Sequence, residues 1–208
     1  MVRVDCDQEP DEHLVTLCLS NPDYFSCIIY RYEKRLSRYI RRLAQLTAED
    51  TQDLLQDIFI IVYRHLNDYD SSLKFSSWIY RIAHNHTISH FRKRGSKLKQ
   101  TAVDDENAYL YENLINRITA EDIAEQNELT KLLHEIIETL PAKYRQVFIL
   151  RFLEEKDYNE ISDILKKPMG SIATLINRAR NKVKEKTIKK GIFLQTWHKD
   201  NKEEFHKG

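Results

Sequence analysis

The stretch Asp157–Lys186, DYNEISDILKKPMGSIATLINRARNKVKEK, carries two helical patterns separated by a corner that one continuous helix cannot turn. Asp157 and Glu160 have the spacing of a capping box, in which each side chain satisfies a backbone donor that the first helical turn leaves open. Ile161, Ile164 and Leu165 then form the buried side of a two-turn helix. After KKPMGS, Pro168 stands near the start of a second helix, where its missing N–H costs nothing. At about 100° per residue, Ile172, Ile176, Ala179 and Val183 share one face of that helix. Ser171, Thr174, Asn177, Arg178 and Asn181 lie on the other side, and Arg180, Lys182, Lys184 and Lys186 extend the charge. Side chains of this kind reach base edges and phosphates. A short bracing helix followed by a longer helix with a polar, basic face reads as a helix-turn-helix, with the second helix in the major groove.

Upstream, Leu132, Leu133, Ile136, Ile137 and Leu140 recur at helical spacing, and Pro141 opens a further helix with Val147, Phe148, Leu150 and Phe152 on its apolar side. This block, residues 129–188, is one small helical domain. The chain has 208 residues and a formal net charge of only +1, but the charge is unevenly spread. Lys166–Lys190 holds nine Lys or Arg and one acid, Arg81–Lys99 six and none, and Thr101–Glu128 eight acids and one base. Two basic blocks around an acidic spacer point to a polyanion partner contacted in two places. With four glycines, four prolines and no alternating β-branched runs, the chain is expected to be all-α. Residues 1–21 read as a loose acidic lead-in, 22–100 as a first helical domain, 101–128 as an acidic linker, and 189–208 as a tail that is mobile or docked on a partner. Cys6, Cys18 and Cys27 lack metal-site spacing and are expected to be reduced thiols of a cytoplasmic chain. The N-terminal residues do not read as a signal peptide, and no apolar run reaches membrane-spanning length.

Within the first block, helices are expected over about 22–46, 49–67 and 75–94. EDTQDLLQDIFIIVYRHLNDYD places Leu55, Ile58, Phe59, Val62 and Leu66 on one face. Leu54, Ile60, Ile61 and Tyr63 fall outside that stripe, among Asp53, Gln56, Asp57 and Arg64. Surplus apolar residues with an acidic edge make a candidate partner surface. In FSSWIYRIAHNHTISHFRKR, Phe75, Trp78, Ile79, Ile82 and Ala83 form a core face, with Arg81, Asn85 and Arg92 on a polar stripe and Phe75, Trp78 and Tyr80 clustered beside it. Rings next to cations are what a single strand needs, for stacking and for phosphates respectively.

The same two segments resemble regions 2.2 to 2.4 of the sigma-70 superfamily, and LHEIIETLPAKYRQVFILRFLEEKDYNEISDILKKPMGSIATLINRARNKVK resembles region 4. A chain of this length with only these two regions is similar to extracytoplasmic-function (ECF) sigma factors. The resemblance implies that Asp53, Gln56, Asp57, Phe59, Ile60 and Arg64 bind core RNA polymerase. It implies that Phe75, Trp78, Tyr80, Arg81, Asn85, Arg92, Lys93 and Arg94 open and read the −10 element, and that Ser171, Thr174, Asn177, Arg178, Arg180 and Lys182 serve the −35 element. An anti-sigma factor covering both domains is a further expected partner. At the corner, where the family usually has glycine and then an apolar residue, this chain has Lys166 and Lys167. Ala173 and Leu175 stand where recognition helices of the family often carry basic residues.

Two other readings use the same residues. A stand-alone helix-turn-helix regulator would leave the surplus apolar helix unexplained. A metal-dependent hydrolase would use His84, His86 and His90, of which His86 and His90 have the i, i+4 spacing of zinc ligands without a completing carboxylate or cysteine. No Gly-rich phosphate loop, nucleophile elbow or paired catalytic carboxylates occur in the sequence, so neither an active site nor a cofactor is expected.

Overall fold

The computed structural model describes residue 6 and residues 8–44, 46–98 and 128–190. The linker and nearly all of the tail lie outside these residues. Eight α-helices and no strand are found among the described residues. The first four are α1 (Asp11–Ser20), α2 (Phe25–Ala44), α3 (Ala48–Arg64) and α4 (Phe75–Leu98). The second four are α5 (Glu128–Glu138), α6 (Ala142–Phe148), α7 (Tyr158–Leu165) and α8 (Met169–Lys189).

The lead-in is more ordered than its acidic composition predicts. Asp11 and Glu12 occupy the first turn of α1, where negative charge complements the helix dipole. Leu14, Val15 and Cys18 are buried against the first bundle. Arg31 and Tyr32 on α2 both bond to Asp11, and Glu12 accepts from the Phe75 backbone N–H that opens α4. Cys6 and Cys27 form a disulfide, so only Cys18 is a free thiol among the described residues, and burial pushes that thiol up to about 11. The expectation of three reduced thiols fails because the chain ahead of α1 folds back alongside α2, which spacing alone does not reveal.

Helix α2 buries Ile28, Tyr32, Leu36, Tyr39, Ile40 and Leu43, a continuous stripe at helical spacing. Thr47 caps α3 by accepting from the Asp50 N–H at 3.1 Å. Because α3 packs on both α2 and α4, Leu54 is buried as well as the predicted stripe. Only Ile60 and Tyr63 of the surplus apolar residues are left exposed. Helix α4 runs to Leu98, about a turn past the expected end.

In the second module the corner residues act as the spacing predicts. Pro141 and Pro168 stand just ahead of α6 and α8. The capping box is complete, with the Glu160 N–H to Asp157 Oδ1 at 2.8 Å and the Asp157 N–H to Glu160 Oε2 at 3.1 Å. Ile172, Ile176, Ala179 and Val183 are all buried, and α8 lies across α6 and α7. Between α6 and α7 the helix widens into a π turn, Ile149–Leu153, which the periodicity did not announce. The two modules are in contact, with α7 lying against α4.

Candidate nucleic-acid interface

Helix α8 is held by its apolar spine, which fixes what faces outward. Ser171, Thr174, Asn177, Arg178 and Asn181 are exposed, and Arg180 and Lys182 are half-buried. Thr174 Oγ1 donates to the Gly170 carbonyl at 2.9 Å, which holds its methyl and hydroxyl in one rotamer. Lys182 lies 5.5 Å from the centre of the Tyr144 ring. Further along, Lys186 and Lys190 turn back to Thr139 and Glu135 near the end of α5. The outward cations run from Arg178 through Lys184 to Lys189, while the first two turns of α8 present the uncharged Ser171, Thr174 and Asn177. A cleft of about 420 Å³ opens at its N-terminal end, lined by Lys167, Pro168, Gly170, Ser171, Thr174 and Leu175. Backbone N–H groups at a helix start favour anions.

A second concave surface lies between α2 and α3. Phe25, Ile29, Leu55, Phe59, Ile60 and Tyr63 give it an apolar floor, with Glu33, Gln52 and Gln56 at its edges, and its volume is about 430 Å³. Phe25 meets Tyr63 edge-on with ring centres 5.1 Å apart. Asp53, Gln56, Asp57 and Arg64 are exposed on the same helix, while Phe59 is buried into the floor. An apolar groove with a charged rim suits an amphipathic helix.

The third predicted surface, on α4, is differently disposed. Arg92 and Asn85 are exposed and Arg81 is half-buried. Lys93 and Arg94 fall on the last turns of α4, with their side chains outside the described part. Phe75, Trp78 and Tyr80 are all buried, so in this conformation none presents a free ring face for stacking. Phe75 and Trp78 stack on each other at 5.6 Å and meet Tyr69 edge-on, which makes them core. Tyr80 is covered by the second module, and its hydroxyl donates to Glu154 Oε2 at 2.7 Å.

That contact belongs to a polar seam that sequence reasoning missed. Arg42 pairs with Glu154 at 3.0 Å. Burial raises the Glu154 carboxyl, an effect that its bonds from Tyr80 and Arg42 partly offset. Lys74 pairs with Asp157 at 3.0 Å and Glu160 at 3.5 Å, and these bonds raise its ammonium. Ser76 donates to Glu160 Oε1 at 3.0 Å, and Lys156 Nζ reaches Ser76 Oγ at 2.9 Å and Glu160 at 3.0 Å. Lys156 also lies 4.7 Å from the Tyr80 ring centre. Burial pushes Glu160 up, but the Asp157 N–H and Lys156 together hold it below the usual carboxylate range.

The three histidines do not converge. His84 is buried, with Nδ1 2.9 Å from the Tyr39 hydroxyl, and His86 is 3.9 Å from Asp57. Among the described residues no group of His, Cys, Asp and Glu is arranged to hold a metal ion, and no helix is long and apolar enough to cross a membrane.

A helix-turn-helix with an exposed basic recognition face, coupled to a four-helix module with its own basic helix, defines a DNA-binding protein of the transcription apparatus. Comparison with known proteins narrows this. Residues 28–97 match the family model of Sigma-70 region 2, and residues 130–183 match Sigma-70, region 4. The ECF RNA polymerase sigma factor SigW of Bacillus subtilis is 30% identical over 166 residues, covering 78% of this chain and 88% of SigW. The RNA polymerase sigma-H factor of Pseudomonas aeruginosa is 28% identical over 180 residues, covering 85% and 93% of the two chains. Among solved structures, CnrH in complex with the cytosolic domain of CnrY aligns at a TM-score of 0.61 and 21% identity, over 85% of this chain and 96% of CnrH. The sigma factor RpoE from Bartonella quintana, in complex with the anti-sigma factor NepR, aligns at 0.62 and 19%, over 79% and 96%. The chain belongs to the sigma-70 family of RNA polymerase sigma factors, in its ECF group.

Proposed function

We propose that this sigma factor binds core RNA polymerase through the groove between α2 and α3 and directs it to promoters by reading two DNA elements. Asp53, Gln56, Asp57, Ile60 and Arg64 form the exposed contact, with Phe59 in the floor beneath. Ser171, Thr174, Asn177 and Arg178 read the −35 duplex, with Arg180 and Lys182 on the backbone. Helix α4 serves the −10 element through Arg81, Asn85, Arg92, Lys93 and Arg94, and through Tyr80 when the second module moves off it, while Phe75 and Trp78 support the helix from the core. Residues 22–100 and 129–188 are the two working domains, and 101–128 is the tether. The protein works in the cytoplasm with its polymerase, and an anti-sigma factor is its regulatory partner, as NepR is for the Bartonella protein. The observation that carries this reading is the row of exposed polar residues on α8, set opposite a fully buried apolar spine.

The test is reconstitution with core RNA polymerase free of its own sigma subunit, followed by run-off transcription from a random-sequence template library. Enrichment of templates sharing two short elements is expected. Output no greater than that of core enzyme alone would overturn the proposal.

A further inference from the structure

The part of α8 that would meet a groove first is uncharged. In a helix-turn-helix, the N-terminal residues of the second helix contact the base edges. From Met169 to Asn177 this helix carries no acidic or basic residue, and Arg178 is its first cation. Arginine or lysine bonded to guanine O6 and N7 is the commonest specific contact in the major groove. No side chain in the first two turns of α8 can make it.

What stands there has a different chemistry. At about 100° per residue, Gly170 and Thr174 fall opposite the buried spine, at the centre of the outward face. Thr174 Oγ1 donates to the Gly170 carbonyl at 2.9 Å, so its proton is committed within the helix and the oxygen is left to accept. The threonine methyl is bonded to the same carbon as that oxygen. An A·T pair offers the major groove both an amino group and a methyl, whereas G·C offers an amino group alone. Leu175 and Pro168 add apolar walls to the cleft beside Thr174. Asn177, one turn further, accepts from Arg180 at 3.4 Å through Oδ1 and keeps its NH2 and a second lone pair, the set that matches adenine N7 and N6. Gly170 lies one turn ahead of Thr174. A Cβ added to it would meet nothing within 4 Å, and it sits in helical backbone, so neither packing nor turn geometry demands a glycine. Glycine in a helix forfeits stability that alanine would supply. A bare backbone at the centre of the outward face admits a closer approach than any side chain would.

We propose that α8 selects an A·T element: Thr174, next to the bare backbone of Gly170, packs its methyl against the C5 methyl of a thymine, and Asn177 pairs with a neighbouring adenine, with no cation on these turns to select guanine. Lys167 and Arg178 bracket the stretch and hold phosphates on either side. This rests on the reading of α8 as the −35 helix and adds which bases that helix selects.

The test uses holoenzyme reconstituted from core RNA polymerase and the full chain. Templates recovered from the transcription library supply the promoter, and its upstream element is randomised again and selected for holoenzyme binding. Consecutive A·T pairs should be enriched. Each thymine of the selected element is then replaced by deoxyuridine, which keeps its pairing and loses only the methyl. At one thymine this should weaken binding about fourfold, the worth of one buried methyl. Holoenzyme carrying Thr174→Ser, which keeps the hydroxyl and lacks the methyl, should bind the thymine and deoxyuridine duplexes equally. Gly170→Leu should leave the thermal midpoint of the chain unchanged or raised, yet weaken binding of the selected duplex about tenfold. Enrichment of guanine at the contacted pairs, a deoxyuridine series without effect, a Thr174→Ser enzyme that still prefers thymine, or unchanged affinity in Gly170→Leu would each overturn the base assignment, while an enriched upstream element would leave α8 as the −35 helix. No enriched upstream element, with Arg178→Ala binding as wild type does, would remove the −35 reading and the base assignment together.

Discussion

Lys166 ends α7 in the left-handed region, at φ 50° and ψ 48°. Only glycine adopts this conformation without a Cβ penalty, which is why it is favoured one residue past a helix. Lys166→Gly is therefore expected to stabilise the second module by about 1 kcal/mol, read as a higher urea midpoint at unchanged slope. The departure from the family's glycine was visible in the sequence, but its consequence for the backbone was not. His84 carries a second residue-level prediction. Burial, aided by the Lys167 charge, lowers its imidazole from 6.5 to about 4. The folded state thus disfavours the proton that the unfolded state accepts. Its contribution is complete above pH 6.5 and is lost as the pH falls towards 4, on the order of 3 kcal/mol in all. Urea unfolding across that window should show a clear slope in the wild type, much reduced in His84→Gln. Trp78 was legible as an aromatic beside cations, yet Phe75 and Tyr69 enclose it, and Trp78→Ala should cost about 3–5 kcal/mol of stability. Any melting defect of that variant has to be measured against its folded fraction.

Among the elements, α8 was the easiest to read, because its four spine residues at offsets 0, 4, 7 and 11 admit one buried side. Arg178→Ala should weaken duplex binding by the reconstituted holoenzyme and reduce the slope of log affinity against log salt by about one phosphate contact. An unaltered slope would remove Arg178 from the DNA surface. Helix α3 was half legible. Its stripe predicted the core, but Leu54 could be assigned only when packing against both α2 and α4 was known. The residue pair left over, Ile60 and Tyr63, is the exposed apolar part of the groove. Ile60→Asp should abolish co-elution with core polymerase while leaving the helical circular dichroism unchanged; retained co-elution would place the contact elsewhere. Helix α1 was missed because its apolar residues, Leu14, Val15, Leu17, Cys18 and Leu19, are spread around the helix and sit in an acidic context, so its burial depends on partners in α2 and α4 rather than on its own periodicity.

At the scale of the whole molecule, sequence distance set the limit of legibility. Domain order and helix content follow from local patterns. The seam pairs Tyr80 and Arg42 with Glu154 across separations of 74 and 112 residues, and nothing local marks those partners. The Cys6–Cys27 bridge closes a separation of 21 residues and ties the chain ahead of α1 to α2. Loop closure of that length is worth about 3 kcal/mol in the unfolded-chain account, so adding dithiothreitol should lower the unfolding free energy of the first module by roughly that amount. A Cys27→Ser chain should show no response to the reagent. One carboxylate has a longer reach than its size implies. Glu160 gives Oε2 to the amide that starts α7 and Oε1 to Ser76 and Lys156. Loss of that acid would therefore open the contact between the modules and, in the same stroke, fray the start of the helix that braces α8.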